Sequence, residues 1–408
     1  MGAHSILGSL PLVLTTRFMK AFKMSSTTGS RPIFLAMSMG FTLLASAGDG
    51  TLEPFLGPPK IEMQQLFQGQ RFPNVAVATD GTVLASWGND DVKIRRSTDG
   101  GAQWSEPATL MEGGFQGGGL TVDTVSGDVF AFIEAHHPPA PIHIYRSQDH
   151  GLTWQTQPTK LLPNSQGHLP SMHMNDHGIT LQVGRHAGRL IRPSRWYAAG
   201  NRREEWPNHY TNAIFSDDRG VTWQASEAFP EMGTGEACIV ELSNGTLYYN
   251  SRVHWDQNEH NTRRRSALSR DGGVHWEDWR IVHALPDGHQ HRSYGCMGGL
   301  VRLPVEGRDL LVFSNLDTPK ATRERVTLWL SADGGQSWPI KRLVYDGPSG
   351  YSSLNAGRHG TASEGWMYLF FEGGPGGGGQ MVRVNLTWLL QGVSNDDGQL
   401  PDWLTSRL

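Results

Sequence analysis

The sequence predicts an all-β fold, a six-bladed β-propeller whose strands are joined by one repeated type of hairpin turn. Three observations carry the prediction: an octet that recurs five times, its spacing, and a composition dense in turn formers. The octet reads STDGGAQW at 97–104, SQDHGLTW at 147–154, SDDRGVTW at 216–223, SRDGGVHW at 269–276 and SADGGQSW at 331–338. Its aspartates, Asp99, Asp149, Asp218, Asp271 and Asp333, are 50, 69, 53 and 62 residues apart. Each interval has room for about four short strands, the period of a propeller blade. From about residue 55 to 390, at roughly 55–60 residues per unit, the chain holds six such blades. Fifty Gly, 23 Pro and 14 Trp among 408 residues fit short strands punctuated by turns.

Each octet reads as a hairpin turn with a packing anchor. Alternating strands lead into it, as in VKIRRS ending at Ser97, IHIYRS ending at Ser147 and VTLWLS ending at Ser331. Gly101, Gly151, Gly220, Gly273 and Gly335 supply the positive φ of a tight turn, and the preceding Asp can bond amides of its own loop. The Trp is expected on the outgoing strand, where a large ring packs between neighbouring sheets. The octets are therefore scaffold, and chemistry is expected on irregular loops at the other end of the blades.

Ahead of the repeats, residues 33–47 (IFLAMSMGFTLLASA) form a short apolar run behind Arg31 that ends in Ala45-Ser46-Ala47, the pattern of a secretory signal. Residues 1–47 are expected to be a signal peptide or leader, with Met24 a second candidate for the start and an uncleaved anchor the alternative. Residues 48–408 then form one domain, secreted or periplasmic/cell-surface. No other stretch reaches membrane-spanning length, so no span is expected in the mature chain. A net charge of −4 and the lack of a basic run argue against nucleic acid as a partner. Two cysteines, Cys238 and Cys296, exclude a disulfide framework and a four-cysteine zinc site; they are buried thiols or one bridge. His136-His137 and His289-Gln290-His291 lack metal-ligand spacing. GGPGGGGQ at 373–380 lacks the Lys and Ser/Thr of a phosphate loop and reads as a hairpin. No metal or cofactor is expected.

Four segments carry polar residues that a bare propeller has no use for. Arg71 lies in GQRFPNVAVATDGTVLASW, just before a strand. Glu236 and Arg252 flank the hairpin of TGEACIVELSNGTLYYNSRVHW, whose length returns the chain to the same end of the blade, so both can face one pocket. Arg323 precedes the strand VTLWL, with Arg325 its rival in register. Tyr351 lies in GPSGYSSLNAGRHG, and Glu372 ends the next strand, MYLFFE. Three guanidiniums converging on one point are favourable only around an anion, and a carboxylate is their natural partner. If that carboxylate is on the reacting carbon of the substrate, a carboxylate nucleophile meets it with repulsion and a neutral phenol does not. A tyrosine, with an ordinary pKa near 10, needs a base such as Glu236, while the surrounding Arg charge favours the phenolate.

The octet resembles the Asp box of the sialidase (neuraminidase) superfamily of six-bladed propellers, in which the boxes lie on the rim away from the active site. Arg71-Phe72-Pro73 resembles the superfamily's Arg-Ile-Pro motif. The segment from Glu236 to Arg252 is similar to the one carrying its catalytic Glu and second substrate-binding Arg. Arg323 stands where its third Arg does, Tyr351-Ser352-Ser353-Leu354 resembles the Tyr-Ser-x-Leu of its nucleophile, and Glu372 matches the Glu that steadies the first Arg. HGITLQVGRHAGRLIRP at 177–193 and YGCMGGLVRLP around Cys296 are similar to further stretches expected to line or support the pocket. The resemblance covers roughly residues 65–390. It implies an exo-sialidase-like glycoside hydrolase, retaining, with a Tyr nucleophile, acting on terminal sialic acid or related 2-keto-sugar acids. Its partners would be sialylated glycans or related acidic sugars. The chain departs from the superfamily at the acid/base Asp, whose loop is cut here to GNDD at 88–91, leaving Asp90 and Asp91 as candidates, Asp91 slightly favoured. A non-catalytic propeller that binds an acidic sugar is the alternative, favoured by that short loop. A purely structural repeat protein leaves the Arg, Glu and Tyr set unexplained.

Overall fold

Apolar runs of five to eight residues, such as VFAFIE at 129–134 and LVFSNL at 311–316, alternate with Gly, Pro and Asp turns, so the chain folds as successive antiparallel meanders. A computed structural model describes residues 49–172, 174–253, 263–287, 295–319 and 322–406. The expected leader at 1–47 and His289-Gln290-His291 lie outside the described residues.

Three sheets have four strands each: Pro73–Val77 to Ala108–Glu112, Phe115–Val122 to Gln155–Thr156, and Thr234–Glu241 to Glu277–Pro286. A fifth strand, Lys160–Leu162, adds in parallel to the sheet of Ile179–Thr180, Leu190–Trp196, Tyr210–Ser216 and Thr222–Ala225. The last sheet contains the 17-residue strand Ile340–Ala356, which changes partner midway. Its first half pairs with Glu324–Ser331 and its second half with Met367–Gly373, so one sheet carries two groups of strands. The second group is completed by Ile61–Phe67, which pairs with Gly379–Val384 in the register Ile61↔Val384 and joins the two ends of the domain.

All five octets fold alike. The serine hydroxyl accepts the amide of the glycine four residues on, at 2.8 Å for Gly101, Gly151 and Gly335 and 2.9 Å for Gly220 and Gly273. The same hydroxyl donates to the Asp, whose carboxylate also takes amides of its own turn, as Asp99 does from Ala102 and Gln103 at 3.0 and 2.9 Å. Burial alone would raise Asp149 and Asp271, but these bonds together outweigh it and hold both at about 2. The box glycines have φ of 80–87°, and none has room for a side chain. A Cβ would meet Leu84 at Gly151, Phe130 at Gly220 and Tyr248 at Gly335, each at 2.7 Å, Tyr368 at Gly101 at 3.0 Å, and Ile191 at Gly273. Every box thus rests on a strand of the preceding sheet, and the first box rests on the last, which closes the ring. Among the Trp anchors, Trp223 is fully buried and meets Phe132 edge-on at 5.1 Å; Trp338 is fully buried against Phe313. The expectation of one fixed place needs correction: Trp104 and Trp154 are only half-buried, and only Trp223 is inside a strand, because the turns open into strands of unequal length.

At the centre, buried polar groups tie the innermost strands together. Asp176 has no exposed surface; its carboxylate accepts the Ser353 hydroxyl at 2.5 Å and the Leu300 amide at 3.0 Å, and its amide donates to Ala237. Ser353 also accepts the Val75 amide at 3.1 Å, and Asn74 accepts that of Leu120 at 2.9 Å. These buried hydrogen bonds fix how the sheets meet at the centre. Cys238 and Cys296 are free buried thiols, not a bridge.

Candidate active site

The ends of the inner strands opposite the boxes bring together Arg71, Glu236, Arg252, Arg323, Tyr351 and Glu372. Tyr351, on the second half of the long strand, is 4% exposed, and its hydroxyl donates to Glu236 Oε1 at 3.0 Å. Arg252 Nη1 donates to the same hydroxyl at 3.2 Å and is ion-paired with Glu236 Oε2. Glu236 and Arg252 have no exposed surface. They reach one another because Thr234–Glu241 and Leu247–Val253 are a hairpin pair, with a register shift beside Glu236 that places Ala237 opposite Ser251.

The remaining cations enclose the phenol ring. The Arg71 guanidinium lies 5.0 Å and that of Arg323 4.8 Å from the Tyr351 ring centroid, within the range in which a cation is drawn to a ring face. Glu372 fixes the first of them: its Oε2 takes Arg71 Nη2 at 2.9 Å and the Tyr351 amide at 3.3 Å, and its Oε1 takes the Phe72 amide at 3.1 Å. Phe72 has φ of 80°, a conformation that a bulky residue seldom adopts and that its neighbours must hold in place. Its ring stacks on Tyr351 at 5.8 Å and packs on Phe115 at 4.9 Å. Arg71, with a side chain 44% exposed, faces the mouth. Arg325 turns away, paired with Asp346, so Arg323 is the arginine of that segment at the site. Arg189 pairs with Asp217 and donates to Gly272 on the box side, and so belongs to the scaffold.

Burial, reinforced by the Glu236 charge, raises the Tyr351 phenol above its ordinary value; Arg252 and Arg323 act the other way without prevailing. The arginines thus favour the phenolate as expected, but burial and Glu236 outweigh them, so the resting phenol keeps its proton beside a carboxylate in place to take it.

Asp90 and Asp91 are not in this cluster. Asp90 is exposed; Asp91 begins the strand Asp91–Ser97 and accepts the Gly113 amide at 3.1 Å. Gln70 Oε1 accepts the amides of Asn89, Asp90 and Asp91, which ties the short loop down beside Arg71. Among the described residues, no bond links either aspartate to Tyr351, Glu236 or the arginines.

Several neighbours have no signal in the sequence. Burial raises Glu134 to about 7 although Ser171 and the Met172 amide both donate to it. Burial, then the charge of Arg195, lowers His209 to about 4. Tyr197 and His137 both feel the charge of Glu236.

The sequence matches the family of the BNR repeat-like domain over residues 85–363. The chain belongs to the sialidase superfamily, as a BNR-repeat protein. It is 30% identical to a sialidase of Micromonospora viridifaciens, over 88% of this chain and 59% of the other. It is 26% identical to a sialidase of Bacteroides fragilis (strain YCH46), over 70% and 57%. The chain thus spans less than three-fifths of the length of either relative. Among solved structures it is similar to the Hadza microbial sialidase Hz136, with a TM-score of 0.58 at 22% identity over 78% of this chain and 66% of the other. The sialidase of Trypanosoma rangeli, in complex with the inhibitor DANA, gives a TM-score of 0.57 at 18% identity over 81% and 60%. These likenesses show the fold, a sialidase β-propeller. No group of His, Cys, Asp or Glu among the described residues could hold a metal ion, and no described helix is long and apolar enough to cross a membrane.

Proposed function

We propose that the chain is an exo-sialidase-like glycoside hydrolase that releases terminal sialic acid or a related 2-keto-sugar acid from glycoconjugates with retention. The observation that carries this reading is the bonded trio Tyr351–Glu236–Arg252, enclosed by Arg71 and Arg323. The arginines receive the substrate carboxylate by charge-assisted, forked hydrogen bonds. As the Tyr351 oxygen attacks the anomeric carbon, its proton passes to Glu236 Oε1, the carbon–oxygen bond to the leaving group breaks, and a tyrosyl glycoside forms. Water then attacks the same carbon from the opposite face, giving up one proton to solvent to balance the one the leaving-group oxygen takes up, and Glu236 returns the proton to the departing Tyr351 oxygen. Two inversions give retention. A neutral nucleophile avoids the repulsion a carboxylate would meet beside the substrate's own charge.

The leaving oxygen needs a proton when it departs as an alkoxide and little help when it departs as a phenolate. The short loop of Asp90 and Asp91, which has no bond to the trio among the described residues, favours a second reading, a propeller that holds an acidic sugar without turning it over. Assay of an aryl sialoside beside a natural sialylated glycan separates the two. A hydrolase releases the phenol; a protein that binds both substrates and releases neither product is the binding propeller. Secretion or a periplasmic or cell-surface location is likewise proposed, from the apolar run at 33–47 and the Ala-Ser-Ala that ends it.

A further inference from the structure

Arg195 has no exposed surface, and among the described residues it forms no ion pair with a carboxylate. Its Nε has no hydrogen-bond partner; Nη2 meets His209 Nδ1 at 3.1 Å and Nη1 meets the Tyr197 hydroxyl at 3.4 Å. His209, lowered to about 4 first by burial and then by Arg195, is neutral, so its Nδ1 accepts from the guanidinium and its Nε2 donates to the Ala198 carbonyl at 3.3 Å. The histidine orients the cation and adds no charge. A buried guanidinium without a carboxylate is costly to keep unless something near it needs the charge. What lies against it is the strand of the base: a Cβ on Gly235 would stand 3.1 Å from both Cζ and Nη1 of Arg195, so the glycine lets the backbone next to Glu236 lie close on the guanidinium.

We propose that Arg195, oriented by His209, is a positioning residue for Glu236, a second cation across Gly235 that holds the carboxylate in its base form beside Tyr351. The inference rests on the Tyr351–Glu236 reading given above. The other titratable or charged groups around Glu236 come from every element packed on it: Arg252 on the paired strand, Tyr351 on the long strand, Arg323 ahead of Glu324–Ser331, Cys296 ahead of Gly299–Arg302, Tyr197 after Leu190–Trp196, and His137 beyond Val129–Glu134. The carboxylates on the same elements are Glu134 and Glu372, Asp176, whose amide bonds the Ala237 carbonyl, and Asp287, which takes the Val253 amide. Of the cations, Arg252 occupies one oxygen of Glu236 directly and Arg71 and Arg323 face the ring, so Arg195 is the one placed to act on the base without contact with substrate.

The test is the pH profile of kcat/KM on a fluorogenic aryl sialoside for the wild type, R195M, R195K and H209F. Loss of the cation makes the carboxylate easier to protonate, so the acidic limb of R195M moves up by about one pH unit. R195K keeps the limb in place, H209F moves it in the same direction by less, and KM changes little throughout. An unmoved limb in R195M, or an equal shift in R195K, overturns the proposal. If R195M does not fold, H209F decides, and an unmoved limb there overturns it. If the wild type turns over no sialoside, the glycosidase reading fails on its own, and the same limb is read from the pH dependence of affinity for 2,3-didehydro-2-deoxy sialic acid. Identical dependence in the wild type and the variants then counts against Arg195.

Discussion

The Tyr351 hydroxyl has two partners, the Glu236 carboxylate and the Arg252 guanidinium, and phenylalanine removes that oxygen while keeping the ring on which Arg71, Arg323 and Phe72 rest. Tyr351→Phe is therefore expected to abolish release of phenol from an aryl sialoside while calorimetry finds sialic acid bound nearly as before; turnover close to wild type would remove the nucleophile from the account. Arg323→Ala tests the clamp. It should weaken an anionic sialic acid analogue by about 1.5–3 kcal/mol, the range of a hydrogen bond to a charged group, with unchanged affinity the opposing result. Arg252 is the wrong residue for that experiment, because its removal strands Glu236 in the interior at a cost of about 3–5 kcal/mol in stability. Each residue of the cluster was legible in the sequence as a polar side chain at the end of a strand, in a segment of recognisable spacing. Glu134, Arg195 and His209 were not, because what marks them is burial between sheets, and that depends on contacts the chain makes far along its length.

At the scale of the element, the octets gave the clearest signal: one turn, one set of bonds and one glycine repeated five times are local features, encoded within eight residues. Their tryptophans were less legible, since the preceding sheet decides how deep each ring lies. Trp223→Ala should lower stability by about 3–5 kcal/mol in denaturant unfolding, with turnover per folded molecule unchanged; a stable variant with a damaged site would contradict the scaffold role. The loop at 88–91 was legible as short, but not the way Gln70 ties it down. Its amides are gathered by Gln70 and the Asp91 carboxylate by Gly113, so Asp90→Asn and Asp91→Asn are each expected to slow natural glycosides and aryl sialosides alike. A loss of 10²-fold or more confined to the natural glycoside, the scale of general acid assistance, would place one of them at the leaving oxygen.

Across the whole molecule, the spacing of the octets implied a ring of blades, and hydrogen bonding resolves it into five sheets, the largest holding two groups of strands joined by Ile340–Ala356. That shared strand could not be read from the sequence, because its seventeen residues include Gly347-Pro348, which looks like a turn. Nor could the closure of the ring by Ile61–Phe67 on Gly379–Val384, a pairing across more than three hundred residues. The buried carboxyl of Glu134 sets a global pH dependence. Raised from 4.5 to about 7, it contributes stability that is fully present below pH 4.5 and lost as pH rises through 7. Glu134→Gln, which mimics the protonated form, should therefore gain in Tm over the wild type between pH 4.5 and 8; a constant difference would contradict this. Asp149 and Asp271, lowered to about 2, contribute stability present above their ordinary 3.8 and lost as pH falls through 2. What joins ring, site and chemistry is the claim that Tyr351, held at the centre of the propeller against Glu236, becomes covalently glycosylated during turnover. Rapid quenching of the wild type with an aryl sialoside, followed by peptide mass spectrometry, tests it most directly. The expected result is a sialyl adduct on the peptide containing Tyr351, absent from Tyr351→Phe; phenol release with no adduct on Tyr351, or an adduct on Glu236, would contradict it.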